Sequence, residues 1–517
     1  VRIGIDVGGT NTDAVVLDAD NRVRASTKQV TTADITTGIT AAVGALLAEI
    51  DAEIESVMIG TTHFLNALIE RSRLAKVAAV RLCLPSSAAV PPMVDWPGEL
   101  RTALGDTAFL CHGGREFDGR ELSTIDTEEL RRIAARIADS GIDSIAISSV
   151  FSPAAPEDER IAAEILAAEL GEVHISLSSD IGRIGLLARE NATIVNASLR
   201  GLAEHIVDSF ATGLAEVGVT APIFLSQNDG TLMDVQRARR YPVATFASGP
   251  TNSMRGAAFL SGLTDCAVVD IGGTTTDIGI LSAGFPRIAA NETRIAGVRT
   301  NFPIPDVYSV GIGGGSLIAG DATTGPRSVG YRLTEQAMVF GGDTLTATDL
   351  AVAAGYAEIG DPARVAQLDR TTVDTALRGI ATRIDEGIDR MRTSAAALPV
   401  VLVGGGSVLL RDRLPNFAEV HRPDHFPVAN AVGAAIAQCS GLVDGIYRIG
   451  PGQRETVLTE ARAEAIDRAH RAGARQGTVE IVDIQEIPLA YLPGGATRIC
   501  VKAVGELAAR KEEPSRA

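Results

Sequence analysis

Two copies of one local pattern, 264 positions apart, constrain this chain more than any other feature. Residues 1–13 read VRIGIDVGGTNTD and residues 268–277 read VVDIGGTTTD. Aligning Asp6 with Asp270 also aligns Gly8, Gly9, Thr10, Thr12 and Asp13 with Gly272, Gly273, Thr274, Thr276 and Asp277. Each copy is an apolar run that spells a buried strand, then a carboxylate, a Gly-Gly turn and a set of hydroxyls. Glycine has no Cβ, so the backbone can fold back sharply and admit a ligand closely. The freed N–H groups and hydroxyls of such a turn suit phosphate oxygens. An aspartate at the strand's end suits hydrated Mg2+, which takes few carboxylates and keeps several waters. One such turn reads equally well as a polar hairpin. Two in register, half a chain apart, point to duplicated domains facing one another across a phosphate.

The totals leave room for that arrangement. A length of 517 residues allows about three domains, or two large ones with insertions. With 45% hydrophobic and 21% charged residues the chain has ample core for a globular fold. No apolar run reaches the roughly 18 to 20 residues of a membrane span, and residues 76–94 are interrupted by Arg81 and several prolines. No basic leader or cleavage site precedes the first strand, so no export signal and no membrane partner are expected. A net charge of −17 argues against nucleic acid, which wants a basic face. Five scattered cysteines without a CxxC pair suit buried thiols in a reducing cytoplasm.

Between the copies the pattern alternates. Residues 14–17 and 22–28 read as strands joined by a turn, 37–50 as a helix and 56–60 as a strand. At 61–71, TTHFLNALIER, the threonine pair opens a helix with Leu65, Leu68 and Ile69 facing inward. Thr61, Thr62, His63 and Asn66 gather at its start, where they either line a ligand cleft or cap an ordinary helix. The loop CHGGREFDGRE at 111–121 is a surface turn or a substrate loop. Helix 128–140, strand 144–150, helix 157–170 and strand 173–177 set a βαβ rhythm that predicts a parallel sheet under covering helices. Residues 179–217 read as largely helical. Arg189, Thr193 and Asn196 fall on one face there, either a solvated face or a second polar site.

Strand 222–225 ends in the polar turn SQNDG, at the sheet edge where open α/β folds bind ligands. SGP at 248–250 leads into helix 252–260. GIGGGS at 311–316 offers a close backbone approach at Gly314, and Gly404, Gly405 and Gly406 after strand 399–403 suit a flat base or ribose. Residues 363–397 are mostly helix, and the small residues of 429–437 form a helix that permits close helix contact. Past Ser440 the pattern changes to a long helix, 459–472, and strands 478–487 and 497–504, before a charged tail, 508–517, that is expected to fray.

In this order the two Asp–Gly-Gly–Thr turns, the strand–GGG turn and the small-residue helix resemble the actin-like ATPase superfamily of sugar kinases, heat-shock chaperone ATPases and actin. Within it the chain is similar to the hydantoinase/oxoprolinase family. That closer likeness is carried by IGIDVGGTNTDAVVLD, GTTHFLNALIER, HGGREFDGRE, SVFSP, ARENATIVNASL, SQNDG, SGP, VVDIGGTTTDIG, PIPDVYSVGIGGGSL, VVLVGGGS and HRPDHFPVANAVGAA, in sequence order.

The resemblance implies an α/β fold of two duplicated actin-like ATPase (ribonuclease H-like) domains around a nucleotide cleft. It adds an inserted α/β region and a short C-terminal α+β segment, with domains expected at 1–180, 181–440 and 441–517. It implies ATP and Mg2+ as cofactors. Asp6 and Asp270 would be catalytic, metal-side carboxylates. Gly8, Gly9, Thr10, Asn11, Thr12, Gly272, Gly273, Thr274, Thr275, Thr276 and Gly314 would surround the phosphates, and Gly404–Gly406 the adenosine. Thr61, Thr62, His63, Asn66, Arg189 and Asn196 would face substrate. The implied activity is ATP-dependent hydrolysis of a cyclic amide or imide, of hydantoin, oxoproline or lactam type, by a cytoplasmic hetero-oligomer with a second subunit. A small-molecule kinase and an ATPase that remodels a partner enzyme are the alternatives. The sequence departs from the family's usual pattern at Tyr308, where a His is expected, and at His63 and Phe64, where smaller residues are usual. It is also shorter than the typical large subunit.

Overall fold

The first copy of the repeat forms an antiparallel hairpin, Arg2–Val7 with Asn11–Leu17, in which Asp6 faces Asp13. The second copy does the same: Cys266–Ile271 pairs with Thr276–Ser282, and Asp270 faces Asp277. In each turn the first glycine's amide closes on a carbonyl three residues later, Gly8 on Asn11 at 3.0 Å and Gly272 on Thr275 at 2.9 Å. The computed structural model describes residues 1–9, 11–30, 35–289, 293–411, 414–490, 492 and 494–508. Thr10 and the tail from 509 onward lie outside the described residues.

The likeness extends beyond the hairpins. A third strand joins each one antiparallel, Val23–Val30 on the first and Val307–Val310 on the second. On the other side a parallel strand follows, Ser56–Thr61 beside Arg2–Val7 and Val400–Val403 beside Cys266–Ile271. A further parallel strand comes next in each, Ile223–Ser226 and Val420–His421. The two sheets thus repeat one strand order, the actin-like α/β arrangement. Their central strands are continuously apolar because both faces are covered.

Between Ser56–Thr61 and Ile223–Ser226 the chain builds the inserted region. Its four parallel strands run in the order Thr107–His112, Val77–Leu84, Ser144–Ser149, His174–Leu177. Helices Thr127–Ser140 and Glu157–Leu170 supply apolar residues such as Leu130, Ile137 and Leu166 to the core under that sheet. Val77–Leu84 corrects the sequence reading, which found no strand there because Arg81 interrupts the apolar run. Arg81 is fully buried and is matched by Glu190, which accepts from its Nε at 2.6 Å and its Nη2 at 2.5 Å. Helix Leu186–Glu216 packs against this sheet, and every residue from 188 to 199 is buried, so the solvated face weighed for it is absent.

The sheets do not follow chain order. Thr231–Asp234, Gln438–Arg448, Ala496–Gly505 and Glu480–Pro488 extend the first sheet to nine strands. Boundaries at 180/181 and 440/441 therefore cut across that sheet. Gln438–Arg448 escaped the sequence reading; Gly441, Asp444 and Gly445 interrupt its apolar run. Gly441 is needed: a Cβ there would collide with Ala465 of helix Arg454–Arg471, packed against the strand.

Two helices fill the junction between the sheets, Ser248–Ser261 and Ala429–Ala435. They approach backbone to backbone. A methyl on Gly256 would collide with the Ala429 carbonyl, and one on Gly433 with the Asn252 carbonyl. Gly4 of the first strand accommodates the Ala431 carbonyl in the same way.

Candidate active site between the two hairpins

The two carboxylates end equivalent strands, and the junction helices bring their surroundings together. Asn430, in the helix Ala429–Ala435, donates Nδ2 to Asp6 Oδ2 and to Asp13 Oδ2, each at 2.9 Å. Lys28, on the third strand of the first sheet, donates to both Asp13 oxygens at 2.6 and 2.8 Å. It also reaches Pro427 O at 3.2 Å. Ser253, in the helix Ser248–Ser261, lies close enough to Asp270 to hold its carboxyl down.

The glycine loops close around the second carboxylate. Gly404 has φ +80°, and a Cβ there would collide with Asp270 Oδ1 and the Ile271 carbonyl. Gly405 and Gly406 follow in a short 3-10 turn, and a Cβ on Gly406 would lie 2.7 Å from Gly272 O. The loop 311–316 stacks on the same turn: Gly314 N donates to Gly272 O at 3.0 Å and Gly315 N to Gly273 O at 2.7 Å. Thr276 Oγ1 donates to Ile312 O at 2.7 Å. Gly272, Gly273, Thr274, Thr275, Thr276, Gly314 and Gly404–Gly406 therefore form one continuous glycine-rich wall beside Asp270. Gly8, Gly9, Asn11 and Thr12 form the opposing turn beside Asp6.

This pocket of carboxylates is short of positive charge. Burial lifts Asp6 to about 7, helped by Asp13 and Asp270 and opposed by Asn430 and Lys28. Burial lifts Asp270 to about 6, opposed by Ser253 and Lys28 and helped by Asp277. Asp277 is raised by burial as well, against its bond from Ser309. Asp6 Oδ1 is buried without a partner. An unpartnered buried oxygen and two facing carboxylates are what a divalent cation would satisfy. Among the described residues no three His, Cys, Asp or Glu side chains converge. Mg2+ held by one or two carboxylates, waters and phosphates needs no such set, so Asp6 and Asp270 fit it.

The helix His63–Glu70 starts at this edge. Thr62 N donates to Val7 O at 3.4 Å, and a Cβ on Gly9 would lie 3.8 Å from Asn66 Nδ2. Thr62 is the N-cap residue but its side chain makes no cap bond; Thr61 Oγ1 instead accepts from His63 N at 3.3 Å and pairs with His63 Nδ1 at 2.7 Å. Burial, with Arg73 nearby, lowers His63 to about 4, so its imidazole is neutral near pH 7. Phe64, Ala67 and Leu68 are the buried face, whereas Ile69 is 53% exposed.

Other candidates sit apart from this group. Arg189 is fully enclosed; its guanidinium donates to Ser178 Oγ, Arg183 O and the carbonyls of Ser149 and Val150. Asn196, also enclosed, donates to Ser176 Oγ at 3.0 Å and Arg240 O at 2.8 Å. Both side chains are spent on joining the long helix to its surroundings. Tyr308 turns to the helix Arg370–Met391, where Arg390 donates to its hydroxyl at 2.9 Å. The loop 111–121 ties into the inserted region through Arg115 and Asp158, and to the C-terminal strands through Asp118 and Arg448. It borders a cavity of about 460 Å³ with Tyr447 and Arg448.

Four residues of the site were missed in the sequence: Lys28, Asn252, Ser253 and Asn430. None carries a local signal. Each belongs to an element whose own pattern is ordinary: strand pairing sets Lys28 opposite Asp13, and the junction helices bring Asn252, Ser253 and Asn430 to the carboxylates.

Comparison with known proteins adds the family. The model for the hydantoinase/oxoprolinase N-terminal region matches residues 2–170, and that for hydantoinase/oxoprolinase matches 189–403. The chain belongs to the hydantoinase/oxoprolinase family. Caprolactamase subunit alpha of Pseudomonas jessenii is 27% identical to this family member over 84% of its chain and 65% of that protein. The acetophenone carboxylase gamma subunit of Aromatoleum aromaticum is 25% identical over 68% of this chain and 53% of its own length. The 5-oxoprolinase of Saccharomyces cerevisiae is 27% identical over 61% of this chain and 26% of its own. This hydantoinase/oxoprolinase chain thus spans less than two thirds of the length of these three relatives. The crystal structure of the ATP-dependent caprolactamase from Pseudomonas jessenii shares its fold, with a TM-score of 0.79 at 19% identity over 100% of this chain and 90% of that one. The nucleotide-free acetone carboxylase structure gives 0.68 at 18% over 99% and 89%. Among the described residues no helix is long and apolar enough to cross a membrane.

Proposed function

We propose that the chain carries the ATP site of an ATP-dependent hydrolase that opens a cyclic amide or imide of hydantoin, oxoproline or lactam type, working with a second subunit. The observation that carries this reading is the pair of register-matched hairpins whose carboxylates, Asp6 buried and Asp270 half-buried, lack compensating charge. The relatives named caprolactamase and 5-oxoprolinase support the substrate class, and relatives named as subunits support a partner.

A lactam carbonyl resists water because the nitrogen lone pair is delocalised into it. Transfer of the γ-phosphoryl group to its oxygen makes that oxygen part of a leaving group. Phosphoryl transfer asks a protein chiefly for positioning and charge neutralisation. In this reading Asp6 and Asp270 hold Mg2+, which when bound supplies neutralising charge to the phosphates. The turn amides and hydroxyls of Gly8, Gly9, Asn11, Thr12 and Gly272–Thr276 hold the phosphates in line, and Gly404–Gly406 take the adenosine. Thr61, Thr62, His63 and Asn66 present neutral hydrogen-bonding groups to the amide. Neutral His63 adds no positive charge to the pocket.

The test is ADP release and ring-opened product measured together, against hydantoin, 5-oxoproline, caprolactam, sugars and no substrate, with and without the second subunit. Equal amounts of ADP and ring-opened product from one cyclic amide are expected. Turnover confined to sugars, with a phosphosugar product, would make the chain a kinase. Partner-stimulated ATP turnover with no small molecule would make it a remodelling ATPase.

A further inference from the structure

Helix Ser248–Ser261 runs between the two sheets, and its consecutive residues Asn252 and Ser253 address the two carboxylates separately. Ser253 lies against Asp270 of the second hairpin and holds its carboxyl down. Asn252 lies on the side of the first, over Gly60, which stands beside Asp6 in the parallel pairing of their strands. A methyl built on Gly60 would lie 2.5 Å from Asp6 Oδ1 and 2.5 Å from Asn252 Nδ2. Only glycine fits at residue 60, because two polar atoms converge on the position its Cβ would take.

Those atoms have no protein partner. Asp6 Oδ1 and both amide atoms of Asn252 are buried and unbonded, and Asn252 is fully enclosed. Ser226 Oγ is also buried and unbonded, one step beyond the paired Ile59 and Leu225 on the next parallel strand. Buried polar groups in folded proteins are bonded to protein or to ordered water. A buried water needs roughly two to four polar partners, and a carboxylate acceptor beside an amide donor begins that set. Asp6 Oδ2 is already held by Asn430. A water on Oδ1 fixes the carboxylate from its other side, and the lone pairs that remain on the carboxylate are the ones open to the cation.

We propose that Asn252 is a positioning residue for Asp6, acting through a water molecule that bridges the two side chains beside Gly60. The water accepts from Asn252 Nδ2 and donates to Asp6 Oδ1. The proposal rests on the function above, in which Asp6 faces the phosphates. Asn252→Asp keeps the shape and replaces the donor by an acceptor. Asn252→Ala keeps the space and removes the donor without adding charge.

Two measurements test it. A crystal structure of the wild-type protein that orders internal solvent should show a water within hydrogen-bond distance of both Asp6 Oδ1 and Asn252. No density there, or a direct bond between the two side chains, overturns the proposal. In solution both variants should lose about tenfold to a hundredfold in kcat for ATP turnover, the scale of a slightly misplaced reacting group. ATP affinity and the thermal midpoint of Asn252→Ala should stay near wild type. Should Asn252→Asp fail to fold, Asn252→Ala carries the comparison. Unchanged kcat in Asn252→Ala, or a loss of affinity and thermal midpoint together with kcat, overturns the proposal. A wild-type protein that turns over no ATP removes the underlying function instead, which separates the two failures.

Discussion

Asp13 faces Asp6 directly across the first hairpin, and a single amide group, Asn430 Nδ2, donates to both at 2.9 Å. The donor comes from a helix more than 400 positions away in the chain, so the first carboxylate is set by the junction as much as by its own turn. Asn430→Leu removes both bonds; Asp13 keeps Lys28, but the buried Asp6 Oδ2 is left unpaired, which costs about 1–3 kcal/mol. Asn430→Asp adds a third carboxylate to a pair already short of positive charge. Thermal denaturation near neutral pH should therefore rank wild type above Asn430→Leu, and Asn430→Leu above Asn430→Asp. A more stable Asn430→Asp would contradict the electrostatic account.

The carboxylates also make stability depend on pH, with a sign opposite to that of a salt-bridged aspartate. Burial lifts Asp6 to about 7 and Asp270 to about 6, whereas an unfolded chain ionises both near about pH 4. Between these limits the folded protein binds more protons than the unfolded one, so these two groups make stability fall as pH rises through the window from about 4 to 7. The thermal midpoint of cation- and nucleotide-free protein should drop from about pH 5 to pH 7.5 more steeply than that of the double variant Asp6→Asn/Asp270→Asn. Equal slopes would show that the pair ionises normally. Adding MgATP should stabilise the wild type most at the upper end of the range, where both carboxylates are charged.

The Arg81–Glu190 pair is a separate structural commitment. It joins the inserted sheet to the long helix in full burial, with Ser148 Oγ also donating to Glu190 at 2.7 Å. Arg81→Met leaves a buried carboxylate uncompensated and should destabilise by about 3–5 kcal/mol. Arg81→Met with Glu190→Leu removes both charges and should recover most of that loss in denaturant titrations. A double variant as unstable as Arg81→Met would show that the pair is not the cause.

What could be read in the sequence was whatever a short window contains. The two hairpins, the βαβ rhythm of the inserted region and the glycine turns each show in a dozen residues, because strand burial and tight turns impose local residue choices. Helix Glu157–Leu170 was placed to the residue for that reason. Strand Val77–Leu84 was lost because its arginine is neutralised by a residue 109 positions on, and Gln438–Arg448 because Gly441 serves a packed helix rather than a turn. The polar face of Arg189 and Asn196 looked open in a helical projection, and only the packed structure shows what encloses it. Lys28 owes its role to the pairing of its strand with that of Asp13, and Asn252, Ser253 and Asn430 owe theirs to the crossing of two helices, which no window spans.

The central claim is that Asp6 and Asp270, in matched hairpins, face one ATP. ATP turnover of Asp6→Asn and Asp270→Asn, measured beside a thermal melt of each, tests it most directly. The account predicts that each substitution abolishes turnover while the protein stays folded. Normal turnover in both variants would contradict it.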